Sequence, residues 1–382
     1  MRIAMVTDSW YPTRDGVVTS ITIMKESLEA LGHEVVVVAP EPEKEAGRQE
    51  GVYYFPAVSF KSYKGYYVPI IPSDKLSVFR EINPDVIHIH GVAVMALYGL
   101  HYAHKLGVPT VMTFHTMVDD AAAYYSPIKL SPETLSKLIW IYLRYLLKRP
   151  DVVVTPTGCI GEELKSRGAE CRNLATIPTG TNTAVFHPGI DAGFIRERHG
   201  LVGRRVAISV GRVSYEKDLD MVIRAMARVD AVLLVAGKGP ALEDMQKLAE
   251  DLSLQDKVIF AGFVPDEELP AYYNAADIAV SGSKFETQGL SIIEAMASGK
   301  PVACRNGRAF AEIVQDGVNG FLFDDEEGCA AAMERAFAAS DEVRAASYET
   351  ALANSREKSA AKYLEAYALA AETKRARSQR WA

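Results

Sequence analysis

SKFETQGLSIIEAMASGKPV, residues 283–302, carries two carboxylates, Glu286 and Glu294, eight positions apart on either side of Gly289. Beyond Gly289 the residues up to Ala297 are nearly all apolar or small, so the segment predicts a buried helix. Burying an ionised carboxylate is costly unless hydrogen bonds satisfy it, so Glu294 needs a donor from the protein or from a ligand.

Two interpretations of this segment stay open on the residues alone. In the first, the N–H groups of Gly289, Leu290 and Ser291 open the helix and bind a phosphate. Glu286 and Glu294 then accept hydrogen bonds from hydroxyl groups on either side, as a sugar–diphosphate–ribose ligand requires. In the second, acidic residues stabilise the helix dipole and Glu294 is a core carboxylate with a protein partner.

The composition is that of a soluble globular protein, and the length favours two domains. The chain has 382 residues, of which 48% are hydrophobic and 24% charged, and no apolar run is long enough to span a bilayer. The net charge of −7 argues against a nucleic-acid-binding protein. The cysteines are far apart and form no CxxC pair, so we expect no disulfide, no zinc site and a cytoplasmic location.

Short apolar runs alternate with helical patterns along the chain. Because most runs are continuous, they predict parallel strands covered on both faces, in two successive doubly wound α/β sheets. The predicted strands are Arg2–Thr7, Glu34–Ala39, Asp85–His90, Pro109–Phe114, Asp151–Thr155, Leu174–Pro178, Arg205–Gly211, Ala231–Ala236, Lys257–Gly262, Ile278–Ser281, Pro301–Cys304 and Gly320–Phe323. The irregular segment 179–189 predicts a boundary between a domain of residues 1–188 and one of residues 189–355.

Several motifs resemble retaining glycosyltransferases of family 4. The E-x7-E pattern is the family's, and ETQGL…EAMASGKPV is particularly similar to members that glucosylate diacylglycerol. The other matching motifs, in the family's order, are TDSWYPTRDGVVTSI, LGHEVVVVAP, PDVIHIH, VMTFHT, VGRVSYEKDLD, AGKGP, FAGFV and YYNAADIAVSGS. The resemblance implies the GT-B fold: an acceptor-binding N-terminal domain and a donor-binding C-terminal domain facing a cleft, with a C-terminal helix (about 356–382) returning to the first.

The resemblance also implies roles for individual residues. Glu286 is expected to contact the transferred hexose and Glu294 the nucleotide ribose. Arg212 and Lys217 are expected to stabilise the leaving diphosphate, although without the motif a solvated pair of cations is the favoured interpretation. The implied donor-binding residues are Gly16, Gly211, Arg212, Lys217, Val264, Glu286, Gly289, Leu290, Ser291 and Glu294.

Asp218 and Asp220 form a D-x-D pattern, which signals a metal in the other glycosyltransferase architecture. Here it stands at a helix start, where acids suit the dipole, so we interpret it as structural and expect no essential metal. The chain has no GxGxxG and no GxxxxGK[ST] motif, so nicotinamide and ATP-hydrolysis functions lack their signatures. We expect no cofactor, only a nucleotide-sugar substrate.

The N-terminal half contains histidines near the ends of predicted strands. His115 ends the strand that contains VMTF, and the resemblance implies that it positions the sugar near the reacting centre. His88 and His90 share one strand face, and we interpret both as structural.

Residues 134–149, TLSKLIWIYLRYLLKR, predict a helix with a basic stripe that no acid interrupts. Basic residues beside aromatic ones favour an anionic membrane surface, and KSYKGYY at 61–67 adds lysines and tyrosines. The candidate membrane and acceptor contacts are Lys137, Trp140, Arg144 and Lys148. The alternative is an ordinary core helix with a solvated basic face.

The predicted activity is metal-independent, retaining transfer of a hexose to an acceptor hydroxyl. The expected donor is UDP-glucose and the expected acceptor is diacylglycerol at the cytoplasmic face of the membrane. A phosphatidylinositol or soluble-sugar glycosyltransferase, a UDP-sugar epimerase and a nucleotide-sugar sensor without turnover are the alternatives. The complete set of candidate donor residues argues against the sensor.

Overall fold

The computed structural model of the protein describes residues 1–43, 49–59, 67–70, 75–119 and 131–379. The chain divides into two compact units. The first comprises Met1–Gly180 together with the chain from Arg356 onward, and the second comprises Thr181–Ser355.

The first unit contains a parallel sheet. Its described strands are β1 (Arg2–Thr7), β2 (Glu34–Pro40), β3 (Val52–Phe55), β4 (Ala57–Ser59), β5 (Tyr67–Pro69), β6 (Val86–His90), β7 (Thr110–Thr113), β8 (Val152–Thr155) and β9 (Leu174–Thr176). The sheet has the order β3-β2-β1-β6-β7-β8-β9, and β4 pairs with β5 as a separate antiparallel ribbon. The helices are α1 (Gly16–Ala30), α2 (Leu76–Ile82), α3 (Val94–Leu106), α4 (Pro132–Leu147) and α5 (Gly158–Ser166).

The second unit contains another parallel sheet. Its strands are β10 (Val206–Val210), β11 (Val232–Ala236), β12 (Val258–Gly262), β13 (Ile278–Ser281), β14 (Val302–Arg305) and β15 (Phe321–Phe323), in the order β12-β11-β10-β13-β14-β15. The helices are α6 (Gly193–Arg198), α7 (Leu219–Ala225), α8 (Leu242–Asp251), α9 (Leu269–Ala275), α10 (Leu290–Ala297), α11 (Arg308–Ile313), α12 (Glu326–Phe337) and α13 (Asp341–Ala353).

Each strand predicted from an apolar run is present, with ends that differ by at most two residues. The strands that the prediction missed are β3, β4 and β5. All three are partly exposed along most of their length, so none of them needs the continuous apolar run of a buried strand. Buried parallel strands are easier to recognise because both faces must be apolar.

The C-terminal helix α14 (Arg356–Gln379) packs on the first unit, which confirms the expected return of the chain. Tyr363 and Tyr367 are buried in the core of this unit, and the Tyr367 hydroxyl hydrogen bonds with Nδ1 of His88 at 2.8 Å. Ser359 Oγ donates to Pro178 O at 2.7 Å. None of the described helices is both long and apolar enough to cross a membrane.

The first unit ends at Gly180, rather than at residue 188 as drawn from the sequence. Thr181 N donates to Asn354 O at 2.9 Å, and the Phe186 ring lies in the core of the second unit. The turn residues of segment 179–189 suggested a linker, but its latter part is anchored to the second unit.

In each sheet the winding reverses between two neighbouring strands. These are β1 and β6 in the first sheet and β10 and β13 in the second. Doubly wound sheets bind their ligands beyond the carboxyl ends of the strands at such reversals. The residues that follow these four strands are therefore the candidates for a functional site.

Candidate active site

The loop after β10 carries Gly211 and Arg212. Gly211 N donates to Ala236 O at 3.0 Å, which ties this loop to the AGKGP segment after β11. A Cβ on Gly237 would lie 1.8 Å from the Gly211 carbonyl oxygen, so only glycine permits this approach. No role was predicted for AGKGP. Its glycines were the signal that the segment supports the Arg212 loop.

Lys217 and Glu286 form an ion pair at the reversal between β10 and β13. Lys217 ends the short 3-10 turn Tyr215–Lys217, and Glu286 lies in the loop that leads from β13 to α10. The Lys217 ammonium donates to Oε1 of Glu286, and the Glu286 side chain is only 17% exposed. Two residues predicted to touch different parts of a donor are therefore in direct contact with one another.

The start of α10 has the geometry of an anion-binding site. Gly289 has a φ of +79°, and a Cβ there would lie 2.3 Å from Cε1 of Phe310, so both backbone strain and packing require glycine. No side chain caps the helix. The N–H groups of Leu290 and Ser291 have no partner inside the helix and point out of its N-terminal end.

Glu294 is buried, being 8% exposed, and has a protein donor. The Tyr273 hydroxyl on α9 donates to Oε2 of Glu294 at 2.9 Å, while no described residue donates to Oε1. Burial raises the pKa of Glu294 to about 7, although the Tyr273 hydrogen bond opposes the rise. Both interpretations of this residue therefore remain supported. Oε2 is satisfied by the protein, as in a core carboxylate, and Oε1 can accept a hydrogen bond from a ligand.

Asp218 pairs with Arg305, whose guanidinium donates to Oδ2 of Asp218. Asp218 also has a left-handed backbone, with a φ of 46°, as it ends the turn before α7. A carboxylate held by an arginine in this way stabilises the turn. Among the described residues no group of three His, Cys, Asp or Glu side chains could hold a metal ion.

Val264 lies two residues after β12, with its side chain in the core of the second unit. The expectation that it belongs to the donor-binding set therefore concerns its backbone, since the side chain is only 8% exposed.

At the reversal in the first sheet, the start of α1 is occupied by the protein's own acid. The Asp15 carboxylate accepts hydrogen bonds from the N–H groups of Val17 and Val18, both at 2.9 Å. Asp15 therefore takes two of the N–H donors at this helix start, and the expected contact of Gly16 with the nucleotide-sugar donor stays a prediction. A Cβ on Gly16 would meet no described atom within 4 Å, so local packing does not explain the glycine.

His115 and His90 follow or end neighbouring strands and bond to one another. Nδ1 of His90 lies 3.0 Å from Nε2 of His115, and Nε2 of His90 is buried without a partner among the described residues. A buried N–H without an acceptor is rarer than an unused acceptor. We therefore assign the proton to Nδ1 of His90, which makes it the donor and leaves Nε2 of His115 as acceptor.

Burial lowers the pKa of His115 to about 4, although Asp15 opposes the change, and it lowers the pKa of His90 well below the usual range. Both imidazoles are neutral at physiological pH. The interpretation of His88 as structural fits its two hydrogen bonds, at 2.8 Å to Tyr367 and to Thr113. His90 differs from His88, because its hydrogen bond orients the ring of His115, a candidate site residue.

Asp8 is a partly buried carboxylate that was not among the predicted site residues. It follows β1, and its carboxylate accepts from the N–H groups of Ala93 and Met95 at 2.9 and 2.8 Å. Burial raises the pKa of Asp8 to about 6, and these two hydrogen bonds oppose the rise. Its place within the TDSWYP motif was the available signal.

The predicted membrane helix is α4, and its most prominent aromatic residue faces inward. Trp140 is 5% exposed, its Nε1 donates to Oδ2 of Asp119 at 2.9 Å, and the Arg167 guanidinium stacks on its ring. Trp140 is therefore a core residue, which corrects its assignment as a membrane contact. Arg144 is half-buried and donates to the Trp140 carbonyl at 3.1 Å.

The exposed face of α4 consists of Lys137, Leu138, Ile141, Tyr145 and Lys148. Leu138, Ile141 and Tyr145 are 51%, 59% and 57% exposed, so this face is more apolar than expected. Lys148 is not fully available, because it pairs with Glu170 at 2.8 Å. Of the second predicted basic segment, KSYKGYY, residues 61–66 lie outside the described residues.

Comparison with known proteins matches both units to families. Residues 14–185 match the family described as Glycosyltransferase Family 4, and residues 191–352 match Glycosyl transferases group 1.

Alpha-monoglucosyldiacylglycerol synthase of Streptococcus pneumoniae is 32% identical over 356 residues, which cover 90% of this chain and 80% of that protein. The synthase of the same name from Acholeplasma laidlawii is 30% identical and covers 86% of each chain. The solved sucrose-phosphate synthase of Thermosynechococcus elongatus has a TM-score of 0.79 at 20% identity, over 96% of this chain and 98% of that one. This likeness shows the GT-B fold.

Proposed function

Because the chain belongs to the family 4 glycosyltransferases of the GT-B fold, we propose that it transfers glucose from UDP-glucose to the hydroxyl of diacylglycerol, with retention of the anomeric configuration. The observation that carries the donor site is the cluster at the reversal between β10 and β13: the Lys217–Glu286 pair beside the uncapped start of α10. The two similar synthases from Streptococcus pneumoniae and Acholeplasma laidlawii are named for glucose and diacylglycerol, which supports this choice of sugar and acceptor.

The nucleotide diphosphate binds at the start of α10. The N–H groups of Leu290 and Ser291 donate to phosphate oxygens, and the left-handed Gly289 leaves the approach open. One turn further along the helix, Oε1 of Glu294 accepts from a ribose hydroxyl while Tyr273 holds Oε2. The helix thus orders the phosphate and the ribose along one line.

Departure of the diphosphate places new negative charge next to Arg212 and Lys217. Groups that are already fixed before the reaction stabilise such charge without reorganisation. Glu286 keeps Lys217 in place through Oε1, and its remaining acceptor capacity is available to the hexose hydroxyls. No metal or other cofactor enters this scheme.

His115 acts in the neutral form. With its pKa at about 4, the ring carries almost no positive charge at physiological pH, so it orients the sugar through hydrogen bonds rather than by donating a proton. The attacking hydroxyl approaches the face that the diphosphate leaves, and the departing phosphate oxygen accepts its proton.

A donor and acceptor screen tests this function. Purified protein is incubated in excess EDTA with UDP-, GDP- and ADP-sugars and with diacylglycerol, phosphatidylinositol or free sugars as acceptors. The expected product is α-glucosyldiacylglycerol from UDP-glucose, with the anomeric configuration read by proton NMR. A β-linked product would contradict retention, an epimer formed without acceptor would identify an epimerase, and UDP binding without any product would identify a sensor.

The acceptor is proposed to reach the protein at a membrane, through the exposed face of α4. Its three apolar side chains enter the headgroup region, while Lys137 and the partly engaged Lys148 attract anionic lipids. The protein is therefore expected at the cytoplasmic face of the membrane as a peripheral protein.

Vesicle co-sedimentation measures this contact. Replacing Leu138 and Ile141 with Ser is expected to weaken binding to phosphatidylglycerol-containing vesicles roughly tenfold, because each loses apolar area that enters the lipid. The matched control replaces Leu31 and Val58, which are exposed to a similar degree, at 53% and 55%. Equal loss in both variants, or none in either, would exclude this face as the membrane contact.

A further inference from the structure

Arg305 ends β14 and was not among the predicted site residues. Its guanidinium donates to Oδ2 of Asp218, and the two side chains are only 12% and 27% exposed. Nε of Arg305 is buried without a hydrogen-bond partner among the described residues, so the bond to Asp218 is what satisfies this cation. A pair with so little exposure is screened less than a surface ion pair, and losing one partner leaves the other charge uncompensated.

Asp218 directly follows Lys217, so a contact that fixes Asp218 also fixes the backbone of Lys217. Lys217 N donates to Ser214 O at 3.1 Å. Asp218 N donates to Tyr215 O at 3.2 Å. These two bonds close a single 3-10 turn, which is only weakly stabilised by its own hydrogen bonds. Contacts with neighbouring elements must therefore hold the turn in place.

The backbone of Asp218 is constrained as well as its side chain. Its φ of 46° is left-handed, a conformation that costs free energy for any residue with a Cβ but that aspartate adopts more readily than most. Its carbonyl oxygen lies so close to Gly282, the residue after β13, that a Cβ on Gly282 would overlap it. The ion pair with Arg305 therefore offsets the strain of a tightly packed, left-handed residue.

Three adjacent strands meet around Lys217. The turn follows β10, Glu286 lies in the loop after β13, and Arg305 ends β14, and these strands are neighbours in the order β10-β13-β14. The Lys217 side chain is held by Glu286, while its backbone is held through Asp218 by Arg305. A bound diphosphate competes with Glu286 for the Lys217 ammonium, whereas the Asp218–Arg305 pair leaves that ammonium available to the diphosphate.

The charges around Asp218 favour the pair. Burial raises the pKa of Asp218, whereas the charge of Arg305 opposes the rise, as does that of Lys284 more weakly. The charge of Asp220 adds to the rise. Without Arg305 this carboxylate would be buried beside another acid, and the turn before α7 would lose its anchor.

We propose that Arg305 is a positioning residue, which through Asp218 fixes the turn that presents Lys217 to the leaving diphosphate. The role of Lys217 in this inference rests on the proposed function, while the anchoring of the turn can be measured without any sugar transfer.

Kinetics and hydrogen exchange on the full chain test this role. Arg305→Gln removes the ion pair, and Asp218→Asn removes it from the other side while keeping a residue that tolerates a left-handed backbone. Arg305→Lys keeps the positive charge. The matched control is Arg196→Gln, which breaks a partly buried ion pair with Asp277 at the opposite end of β13. Thermal stabilisation by UDP checks that each variant is folded.

Arg305→Gln and Asp218→Asn are each expected to lower kcat about tenfold and UDP-glucose affinity less, because a small displacement of Lys217 costs most in the transition state. Arg305→Lys should recover most of the rate, and the control should keep the kcat of the parent. In a Lys217→Ala background, adding Arg305→Gln should lower kcat no further, since its effect passes through Lys217. Rate losses that add in full would overturn the inference.

Hydrogen exchange in the ligand-free protein separates this inference from the proposed function. The Lys217 and Asp218 amides should exchange at least about threefold faster in Arg305→Gln and Asp218→Asn than in the parent and the control, because the turn opens more often. Unchanged exchange would overturn the positioning role, whether or not sugar is transferred. A parent that transfers no sugar would contradict the proposed function, and the exchange rates would still decide whether Arg305 holds the turn.

Discussion

The candidate side chains at the reversal between β10 and β13 are charged and paired, whereas those beside the reversal between β1 and β6, at the ends of β6 and β7, are neutral imidazoles. Lys217 is held by Glu286 in the second unit, and His115 is held by His90 in the first. The two sheets share one winding plan, so the difference comes from the residues that follow the strands rather than from the fold.

Under the proposed function, the two similar sheets divide the chemistry between them. Fixed cations suit a diphosphate whose charge grows during the reaction. Neutral rings suit the orientation of uncharged hydroxyl groups, since burial keeps the pKa of His115 at about 4. Asp8 follows the same trend, because burial raises the pKa of its carboxyl to about 6 and so disfavours charge at this edge.

The largest effect is expected at the charged edge. Lys217→Ala should lower kcat by roughly a hundredfold or more, as found when a preorganised donor to a developing charge is removed. UDP-glucose affinity should fall less, because the diphosphate of the bound substrate still contacts the N–H groups at the start of α10. Lys247→Ala, an exposed lysine of the same unit, is the matched control. Equal losses in affinity and kcat would show that Lys217 only anchors the donor.

Glu294→Gln is expected to weaken UDP binding about tenfold, because a hydrogen bond to a charged acceptor is worth roughly 1.5–3 kcal/mol. The Gln side chain keeps the size of the buried group and an acceptor for Tyr273. Calorimetric titration with UDP measures the change. Unchanged UDP affinity in a folded variant would show that Glu294 is a core carboxylate with no role in UDP binding.

The pH dependence of Glu294 separates stability from binding. Its pKa is raised from 4.5 to about 7, so its contribution to the free energy of unfolding is complete below about 4.5 and is lost as pH rises through 7. UDP binding should follow the opposite trend and strengthen by up to roughly tenfold from pH 6 to 8, because only the ionised carboxylate accepts fully.

The Glu294→Gln variant should lose the pH dependence of both stability and UDP binding that Glu294 causes. It also serves as the control for titration of the UDP phosphate itself. Parallel pH profiles for parent and variant, in thermal unfolding and in UDP binding, would place the ionisation elsewhere.

The smallest effect is expected at the neutral edge. His90→Leu removes the donor to Nε2 of His115 and should lower kcat several-fold. UDP affinity should not change, because the proposed UDP-binding residues lie in the second unit. The tautomer of His115, read from its ¹⁵N shifts, should change from pure Nδ1–H to a mixture. His104→Leu, an exposed histidine of the same unit, is the control. An unaltered tautomer would show that His90 does not position His115.

The sheets were predictable from sequence because buried parallel strands must be apolar on both faces, as in Val35–Val38. The positions of Glu286, Gly289 and Glu294 on the loop and helix after β13 were predictable from local pattern as well. Their ligand roles remain predictions.

The partners of these residues were not predictable, because they come from distant parts of the chain. Tyr273 reaches Glu294 across 21 positions and His90 reaches His115 across 25. The inward orientation of Trp140 was missed for the same reason. A helical stripe shows which residues share a face, but the residues packed against that face, among them Asp119 and Arg167, come from elsewhere in the chain.

Hydrogen exchange of residues 286–297 with UDP or with uridine, both in excess EDTA, tests most directly that the reversal in the second sheet holds a nucleotide diphosphate. We predict that UDP slows exchange of the Leu290 and Ser291 amides, whereas uridine at equal occupancy leaves their exchange fast, because it lacks the phosphates. Equal protection by both ligands, or UDP binding that leaves these two amides unprotected, would contradict it.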